Sequence, residues 1–382
     1  MSEPRFSYIA PIGEEEVEAV LAVMRRKQLS GFYRDFLGGQ EVQGFEAEFA
    51  QAMGVKHAVS VNSGTSALHV ALAAAGVSTG DEVIVPAVTF TATASAVLMV
   101  GAKPVFVDID PETMCMDLGA LEGAITDHTK AIIPVHLFGK VAPLDGIMAL
   151  AKQHKLIVVE DACQAPGSTH RGQMVGGIGD FGCFSFVETK NMVIGEGGMI
   201  VTNSDAYAEK SRLIRNHGEV WDSNLSRSYV SEMLGYNFRL TEIPAAIGRV
   251  QLKKLAALND MRKRNAAVLQ EGLGGCKWWR TLRFQPNEVC HIFILVLNDA
   301  RPRQAFVEAL RERGIPVSVG YTRPLYKVPL FSERGRFGNC PASEELTSRS
   351  VWYRDVGFPH SEEDMRFLAA EVKAVAEKVS LK

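Results

Sequence analysis

Three segments of the chain place a chemically capable residue beside a turn or at the end of an apolar strand. Lys190 follows the apolar run GCFSFVET and precedes the glycines of NMVIGEGG. Asp161 lies near the end of the run KLIVVEDA, and the residues 62–65 (NSGT) lead from HAVSV into a helical pattern. These segments supply an amine, a carboxylate and a helix start whose free N–H groups favour an anion.

Each segment also has an ordinary structural explanation. The turn at Gly64 could be a capped helix that binds nothing, Asp161 could accept backbone N–H bonds, and Lys190 could extend its amine into water. In the functional interpretation, burial lowers the pKa of Lys190, so that the neutral amine can react with a carbonyl group. Asp161 then meets a cation or several donors, because a buried carboxylate without a partner is costly.

Taken together in this chain order, the three groups match the needs of one cofactor, pyridoxal 5'-phosphate. The helix start at Gly64 would hold the phosphate, and Asp161 would keep the pyridine nitrogen protonated as an electron sink. Lys190 would carry the aldehyde as a Schiff base. The sequence therefore predicts a pyridoxal phosphate site.

Seven apolar runs rich in β-branched residues must position these groups. The first five are mostly separated by segments with helical spacing, such as SALHVALAAAG. Strands that are apolar on both faces and alternate with helices indicate a mainly parallel sheet covered on both sides, and thus an α/β fold with a seven-stranded sheet. The runs are residues 57–61, 81–87, 102–109, 130–138, 155–162, 182–189 and 198–203.

The pattern changes after about residue 250. A long charged helix (QLKKLAALNDMRKRNAAVLQEGL) leads to one strand (HIFILVL), a helix, a proline-rich loop and a terminal helix. We predict a large cofactor-binding α/β domain over residues 1–250, including the N-terminal segment, and a smaller C-terminal α+β domain over residues 251–382.

Composition limits the partners and the compartment. The 382 residues carry a net charge of -3, which gives no basic field for nucleic acid or a membrane surface. The six cysteines lack metal-type spacing and are expected to be reduced thiols, so we expect no metal and a cytoplasmic location. The N-terminus does not resemble a signal peptide, and every apolar run is shorter than the ~18 residues of a membrane span.

The segment GGIGDFG contains Gly177, Gly179 and Gly182 in G-x-G-x-x-G spacing. These glycines precede a strand, whereas a dinucleotide-binding motif follows a strand and opens a helix. We therefore reject a dinucleotide site.

Over nearly its whole length the sequence resembles the DegT/DnrJ/EryC1/StrS aminotransferases, which are fold-type I pyridoxal phosphate enzymes that act mainly on nucleotide-linked keto sugars. The resemblance implies this fold and cofactor here. The motifs that carry it are NSGTSAL, VPAVTFTATA, FVDID, PVHLFG, EDACQAPG, GDFGCFSF followed by TKN, GEGGMIVT, RNHG and GYNFRLTEIPAAIGRVQL.

The resemblance implies how the phosphate and the aldehyde are bound. Gly64 and Thr65 would bind the phosphate through their backbone amides, and Ser185 through its hydroxyl. Lys190 would be the Schiff-base lysine. Asn237 would reach the phosphate of the neighbouring subunit, so the resemblance implies a homodimer. A strand hydroxyl at Ser185 and a turn former at Asn237 are the structural alternatives.

The ring contacts are also implied by the resemblance. Phe90 would stack on the pyridine ring, Asp161 would meet the ring nitrogen, and Gln164 would meet the phenolic oxygen; a core aromatic is the alternative for Phe90. His136 and His217 are left out of the catalytic set, because a lone histidine is more often structural.

Two further positions bear on the substrate. Arg239 could meet a substrate anion or a carboxylate of the partner chain. Tyr326 stands where many sugar aminotransferases have a histidine near the substrate pocket.

The expected activity is transfer of an amino group from L-glutamate, or L-glutamine, to a keto sugar, with pyridoxamine 5'-phosphate as the intermediate form of the cofactor. The favoured acceptor is a nucleotide-linked keto-deoxysugar. The reaction would then belong to the biosynthesis of a deoxyamino sugar for a polysaccharide or an antibiotic. The segment CPASEELTSRSVWY also resembles enzymes for keto-cyclitols. Sugar dehydration is disfavoured because relatives with that activity replace the lysine with histidine. An idle regulator or scaffold is disfavoured because the cofactor contacts are intact.

Overall fold

The computed structural model describes residues 5–6, 8–33, 35–220, 230–319, 321 and 323–379. The α-helices are α1 (Glu14–Arg26), α2 (Gln40–Met53), α3 (Gly64–Ala74), α4 (Thr91–Met99), α5 (Leu118–Ala124), α6 (Leu144–His154), α7 (Asp205–Arg215), α8 (Glu242–Leu273), α9 (Arg303–Glu312), α10 (Pro329–Ser332), α11 (Pro341–Arg349) and α12 (Glu362–Lys378). Two short 3₁₀ helices cover Leu137–Gly139 and Leu325–Lys327.

The strands are β1 (His57–Val61), β2 (Glu82–Pro86), β3 (Lys103–Val107), β4 (Thr129–Ile132), β5 (Ile157–Asp161), β6 (Thr169–His170), β7 (Gln173–Met174), β8 (Phe181–Ser185), β9 (Gly198–Thr202), β10 (Trp279–Thr281), β11 (Phe293–Leu297), β12 (Val317–Val319), β13 (Arg336–Phe337) and β14 (Ser350–Tyr353). Each of the seven apolar runs predicted to form the large sheet overlaps one of these strands.

The large sheet has the order β1-β9-β8-β5-β4-β2-β3-β13. Strand β9 is antiparallel to its neighbours β1 and β8, and the other pairs are parallel. The predicted α/β fold with a mainly parallel sheet is confirmed. The sequence did not reveal the eighth strand, β13, because two residues are too few to produce an apolar run.

The direction of the strands determines where side chains converge. Since β9 is antiparallel to both β1 and β8, strand β1 runs parallel to β8, and β2 and β5 run the same way. The carboxyl ends of β1, β2, β5 and β8 therefore lie along one edge of the sheet, where open α/β sheets bind their ligands.

A buried ion pair fixes the outer part of this sheet. The guanidinium of Arg215 on α7 is fully buried, and its Nη1 donates to Glu46 Oε1 on α2 at 2.5 Å and to the carbonyl of Ser60 in β1 at 3.0 Å. Glu46 Oε1 also accepts from the Ser60 amide at 2.9 Å. Loss of either partner would leave the other charge buried and uncompensated, which costs about 3–5 kcal/mol.

A smaller antiparallel sheet with the order β10-β11-β14-β12 forms a second layer. Its core packs Phe293, Phe306, Leu310 and Leu368 between the sheet and helices α8, α9 and α12. The predicted strand HIFILVL contains β11. The helix predicted after it, in the segment RQAFVEALRERG, contains α9. Strands β10, β12 and β14 were not predicted, because each has only three or four residues.

Helix α8 spans the predicted domain boundary between residues 250 and 251. In addition, Phe331 packs in the core of the large sheet, and β13 pairs with β3, although both follow residue 251 in the chain. The division into residues 1–250 and 251–382 stays a prediction. No helix within the described ranges has both the length and the apolar character that crossing a membrane requires.

Candidate active site

A cavity of about 490 Å³ lies at the edge of the large sheet where the carboxyl ends of β1, β2, β5 and β8 meet. Seven of the eight predicted site residues line it: Gly64, Thr65, Phe90, Asp161, Gln164, Ser185 and Lys190. The small domain closes one side with Tyr321, His291, Ile292, Trp352 and Arg354. The structure thus brings predicted site residues together from distant parts of the sequence, since Gly64 and Lys190 are 126 positions apart.

The start of α3 forms the anion-binding end of this cavity. Ser63 caps the helix, since its Oγ accepts from the Ser66 amide at 3.1 Å. A Cβ at Gly64 would lie 2.7 Å from Cβ of Ser185 and 3.1 Å from Sγ of Cys163, so only glycine allows this approach. The first N–H groups of the helix, which have no partner inside it, therefore lie beside the Ser185 hydroxyl, and this arrangement fits a phosphate.

Asp161 is held at the end of β5 by two donors. Its Oδ2 accepts from Thr93 Oγ1 at 2.9 Å, and its Oδ1 accepts from the Cys163 amide at 3.2 Å. The side chain is buried, with 6% of the residue exposed. Because an ionised carboxylate has about four acceptor positions, it can still pair with a cation in the cavity, such as a protonated ring nitrogen.

Lys190 lies in a turn after β8, where its amide donates to the Val187 carbonyl at 2.8 Å. Burial lowers the pKa of its amine, and the positive charge of Arg354 lowers it further, whereas Cys163 and Asp161 act in the opposite direction. The net shift is downward from the ordinary value of 10.5. More of this amine is therefore neutral, and so nucleophilic, than of an exposed lysine.

Phe90 and Gln164 present two different contacts to the cavity. Phe90 precedes α4 and is 57% exposed, unusually high for a phenylalanine and suited to being covered by a flat ring. Gln164 is buried, and its orientation is fixed because Oε1 accepts from the Phe138 amide at 2.8 Å and Nε2 donates to Tyr321 Oη at 2.7 Å. The second hydrogen on Nε2 remains for an oxygen acceptor.

Asn237 does not line the cavity of its own chain, and its side chain is exposed. Its neighbour Arg239 donates from Nη1 to Oδ1 of Asn216 at 2.8 Å. The predicted contact of Asn237 with the phosphate of a neighbouring subunit stays a prediction, since one chain cannot show it.

One of the two histidines that the sequence analysis set aside, His136, has a structural partner. His136 is fully buried, and its Nε2 lies 3.0 Å from Oε2 of Glu160. Glu160 also accepts from the amides of Gly176, Ile178 and Gly179 at 2.7–2.8 Å. The glycine-rich segment GGIGDFG therefore solvates a buried carboxylate, and it leads into β8, which begins at Phe181.

The sequence analysis missed several residues of the site. Thr93 supports Asp161, and five residues of the small domain line the cavity: His291, Ile292, Tyr321, Trp352 and Arg354. The sequence offered two signals for these residues: the histidine that begins HIFILVL, and the cluster WYR at residues 352–354. Neither signal shows which face of a short strand meets the other domain.

Tyr326 does not line this cavity. It is buried in the core of the large sheet, its Oη donates to Glu344 Oε1 at 2.8 Å, and its ring stacks on Phe337. The residue expected near the substrate pocket is therefore packed beneath a neighbouring groove, which Glu344 lines.

Fold and site together define a pyridoxal-phosphate-dependent aminotransferase of fold type I. The chain belongs to the DegT/DnrJ/EryC1/StrS aminotransferase family, whose model matches residues 11–369. The aminotransferase activity and the cofactor predicted from the sequence are confirmed.

Relatives in this family differ in their named functions. The UDP-N-acetyl-3-dehydro-alpha-D-glucosamine 3-aminotransferase of Acidithiobacillus ferrooxidans is 42% identical over 340 residues, covering 87% of this chain and 90% of the relative. A pleiotropic regulatory protein of Geobacillus stearothermophilus is 41% identical over 325 residues, covering 83% and 84%. The L-glutamine:2-deoxy-scyllo-inosose aminotransferase of Streptoalloteichus tenebrarius is 35% identical over 390 residues, covering 94% and 91%.

Solved structures share the fold over nearly the whole chain. A putative sugar aminotransferase of Streptococcus pneumoniae in its PMP form has a TM-score of 0.90 and 28% identity, covering 98% of this chain and 100% of that one. Helicobacter pylori PseC, an aminotransferase involved in the biosynthesis of pseudoaminic acid, has a TM-score of 0.90 and 29% identity, covering 98% and 99%.

The burial of the Lys190 amine predicts a cost in stability. Because its pKa is lowered in the folded state, the penalty is fully present below the folded pKa and disappears as the pH rises towards 10.5, the ordinary value for the unfolded chain. Lys190→Met should therefore raise the thermal unfolding midpoint of the cofactor-free protein at pH 7, and the gain should shrink at higher pH.

Lys152→Met, at an exposed position on α6, is the matched control and should change the free energy of unfolding by less than about 0.5 kcal/mol. A Lys190→Met protein that is less stable than the wild type at pH 7 would contradict the proposed desolvation of this amine.

Proposed function

We propose that the protein transfers an amino group from L-glutamate or L-glutamine to a keto sugar, with a nucleotide-linked keto-deoxysugar as the favoured acceptor. The observation that carries the proposal is the single cavity in which Lys190, Asp161 and the start of α3 at Gly64 face one another. A relative that matches 87% of this chain is named as an aminotransferase of a UDP-linked dehydro sugar.

The chain's own residues divide the work in this proposal. The amides of Gly64 and Thr65 and the hydroxyl of Ser185 bind the phosphate, and Asp161 pairs with the ring nitrogen. When bound, pyridoxal phosphate supplies an aldehyde that accepts the amino group and a ring that withdraws electrons. Lys190 Nζ, whose lowered pKa leaves more of the amine neutral than in an exposed lysine, would take the proton from the amino-bearing carbon of the donor.

The remaining contacts orient the ring and the donor. Phe90 covers one face of the ring, and the free hydrogen of Gln164 Nε2 meets its phenolic oxygen. Arg354 lines the cavity, with its guanidinium 5.4 Å from the ring centre of Trp352. An arginine held in this way suits the carboxylate of an amino acid donor, because the two groups form paired hydrogen bonds.

A second groove supports a nucleotide-linked acceptor over a keto-cyclitol. This groove encloses about 990 Å³ and shares Tyr321 with the active-site cavity. Four cationic side chains line it: Arg303, Arg323, Lys327 and Arg349. Lys327 and Arg349 are paired with Glu344 and Glu345, whereas Arg323 is exposed and forms no ion pair with the described residues.

The free charge of Arg323 is what a diphosphate would use. A nucleotide-linked sugar carries such a diphosphate beside its sugar ring, and a free cyclitol does not. We infer that the sugar enters the active-site cavity while the diphosphate lies in this groove beyond Tyr321. Asn237 of a second subunit would complete the phosphate site in a homodimer.

Two alternatives are supported less well. Dehydration of the sugar is disfavoured by the lysine at position 190. A purely regulatory function, as named for one relative, is disfavoured because the cavity retains the amine, the carboxylate and the phosphate-binding turn.

The proposal is tested by separating the two halves of the reaction. Protein loaded with pyridoxal phosphate and given L-glutamate without an acceptor should release about one equivalent of 2-oxoglutarate per active site, and L-glutamine is tested in parallel. Adding a nucleotide-linked keto sugar should make the release continuous and should yield an amino sugar by mass spectrometry. Absence of any keto acid with both donors would contradict the proposal.

The nature of the acceptor is tested at Arg323. Arg323→Ala should raise KM for a nucleotide-linked keto sugar about 10- to 100-fold, because hydrogen bonds to charged groups contribute about 1.5–3 kcal/mol. KM for the amino donor should not change. The measurement is steady-state kinetics with both substrates varied.

Arg366→Ala is the matched control, since Arg366 is an exposed arginine on α12 outside the groove that pairs with Glu362. It should leave both KM values unchanged. A protein that aminates a free keto-cyclitol faster than any nucleotide-linked sugar, with no effect of Arg323→Ala, would show that the acceptor carries no diphosphate.

A further inference from the structure

His291 is a cavity residue that the proposed reaction has not yet used. It is the first residue of the run HIFILVL that contains β11, it is 3% exposed, and it lines the cavity together with Lys190 and Arg354. Its amide donates to the Phe138 carbonyl at 2.8 Å, which fixes the backbone. The state of its ring follows from a chain of hydrogen bonds that starts at a carbonyl group.

The chain begins at Pro166, whose carbonyl can only accept. Asn259 Nδ2 donates to this carbonyl at 2.8 Å, so Asn259 Oδ1 must face the other way. Asn259 Oδ1 lies 3.3 Å from Nδ2 of Asn191, which therefore donates to it. Asn191 Oδ1 is then left to face His291 Nδ1 at 3.0 Å. Because an amide oxygen can only accept, His291 Nδ1 must carry the hydrogen.

The tautomer fixed in this way leaves a lone pair on the other ring nitrogen. Nε2 of His291 has no hydrogen-bond partner among the described residues and is not sealed within the interior. Burial, and then the charges of Lys190, Arg262 and Arg354, holds the pKa of His291 well below its ordinary value. The ring is therefore neutral at pH 7, and Nε2 is an acceptor that opens on the cavity.

The surroundings select what can donate to this nitrogen. The positive charge of Arg354 disfavours an ammonium group at this place, so a neutral donor is favoured. A keto sugar or a cyclitol carries several hydroxyl groups, which are neutral donors.

We propose that Nε2 of His291 accepts a hydrogen bond from a hydroxyl group of the amino acceptor and thereby selects a hydroxylated ketone. The proposal rests on the proposed function and names one specificity-determining contact within it. An acceptor that lacks this hydroxyl would leave Nε2 unpaired in the cavity. Its kcat/KM should therefore be about 5- to 150-fold lower than that of the hydroxylated ketone.

The first test reads the ring itself and needs neither activity nor a variant at His291. Nitrogen NMR of cofactor-free protein labelled at histidine should show His291 as the Nδ1–H tautomer between about pH 6 and 8, without protonation. Asn259→Ala frees Asn191 to turn and should give a mixture of tautomers. A ring that carries its hydrogen on Nε2 in the wild-type protein would overturn the proposal.

The second test measures the contact with the substrate. His291→Leu removes the acceptor and should raise KM for the ketone about 5- to 150-fold, with KM for the amino donor changed less than about twofold. His291→Gln, whose Oε1 can accept near the place of Nε2, should restore KM for the ketone to within a few-fold. Deoxy analogues of the ketone, each lacking one hydroxyl group, provide the matching test on the substrate. With the wild-type protein, one of them should show the same increase in KM, and with His291→Leu the KM values of that analogue and of the complete ketone should be equal.

The two levels of the proposal fail in different ways. If the wild-type protein transfers an amino group and His291→Leu has an unchanged KM for the ketone, the contact proposed for His291 is overturned and the proposed function stands. If the wild-type protein transfers no amino group to any keto sugar or cyclitol, the proposed function and this contact are overturned together, while the NMR spectrum still reports the tautomer.

Discussion

The structure depends on one costly arrangement, an amine held in a cavity where water solvates it poorly. Burial lowers the pKa of Lys190, and the carboxylate of Asp161 in the same cavity opposes this shift, although the structure of the described residues shows no salt bridge between the two groups. The contrast with Lys140 is informative, because that buried lysine pairs with Glu288 at 2.6 Å. The amine of Lys190 has no such carboxylate partner among the described residues, and its lowered pKa favours the neutral form that can attack a carbonyl.

The large sheet makes this arrangement possible by ending four strands at one edge. Helix α3 approaches β8 closely, since a single methyl group at Gly64 would meet the side chain of Ser185. Hydrogen bonds from Thr93 and from the Cys163 amide hold Asp161 in place. The backbone, a hydroxyl and a carboxylate are therefore fixed before any ligand binds, which reduces the free energy lost on ordering them.

The chain predicts the large sheet well because its strands are buried on both faces, so that apolar runs such as DEVIVPA stand out from the helices between them. Gly64, Asp161 and Lys190 were predicted from their places beside those strands, whereas Phe90, Gln164 and Ser185 were implied only by the family resemblance. The contributions of the small domain were not, because β12 and β14 are short and pair with residues distant in the chain. The tautomer of His291 depends on Pro166 and Asn259, which no local pattern connects to it.

The central claim is that Nζ of Lys190 is the group that bonds to the aldehyde of the cofactor. Borohydride reduction of the protein saturated with pyridoxal phosphate, followed by proteolysis and mass spectrometry, tests it directly. The account predicts one modified peptide, containing Lys190, and no modification at Lys140. A cofactor fixed to another lysine, or no fixed cofactor in fully loaded protein, would contradict the account.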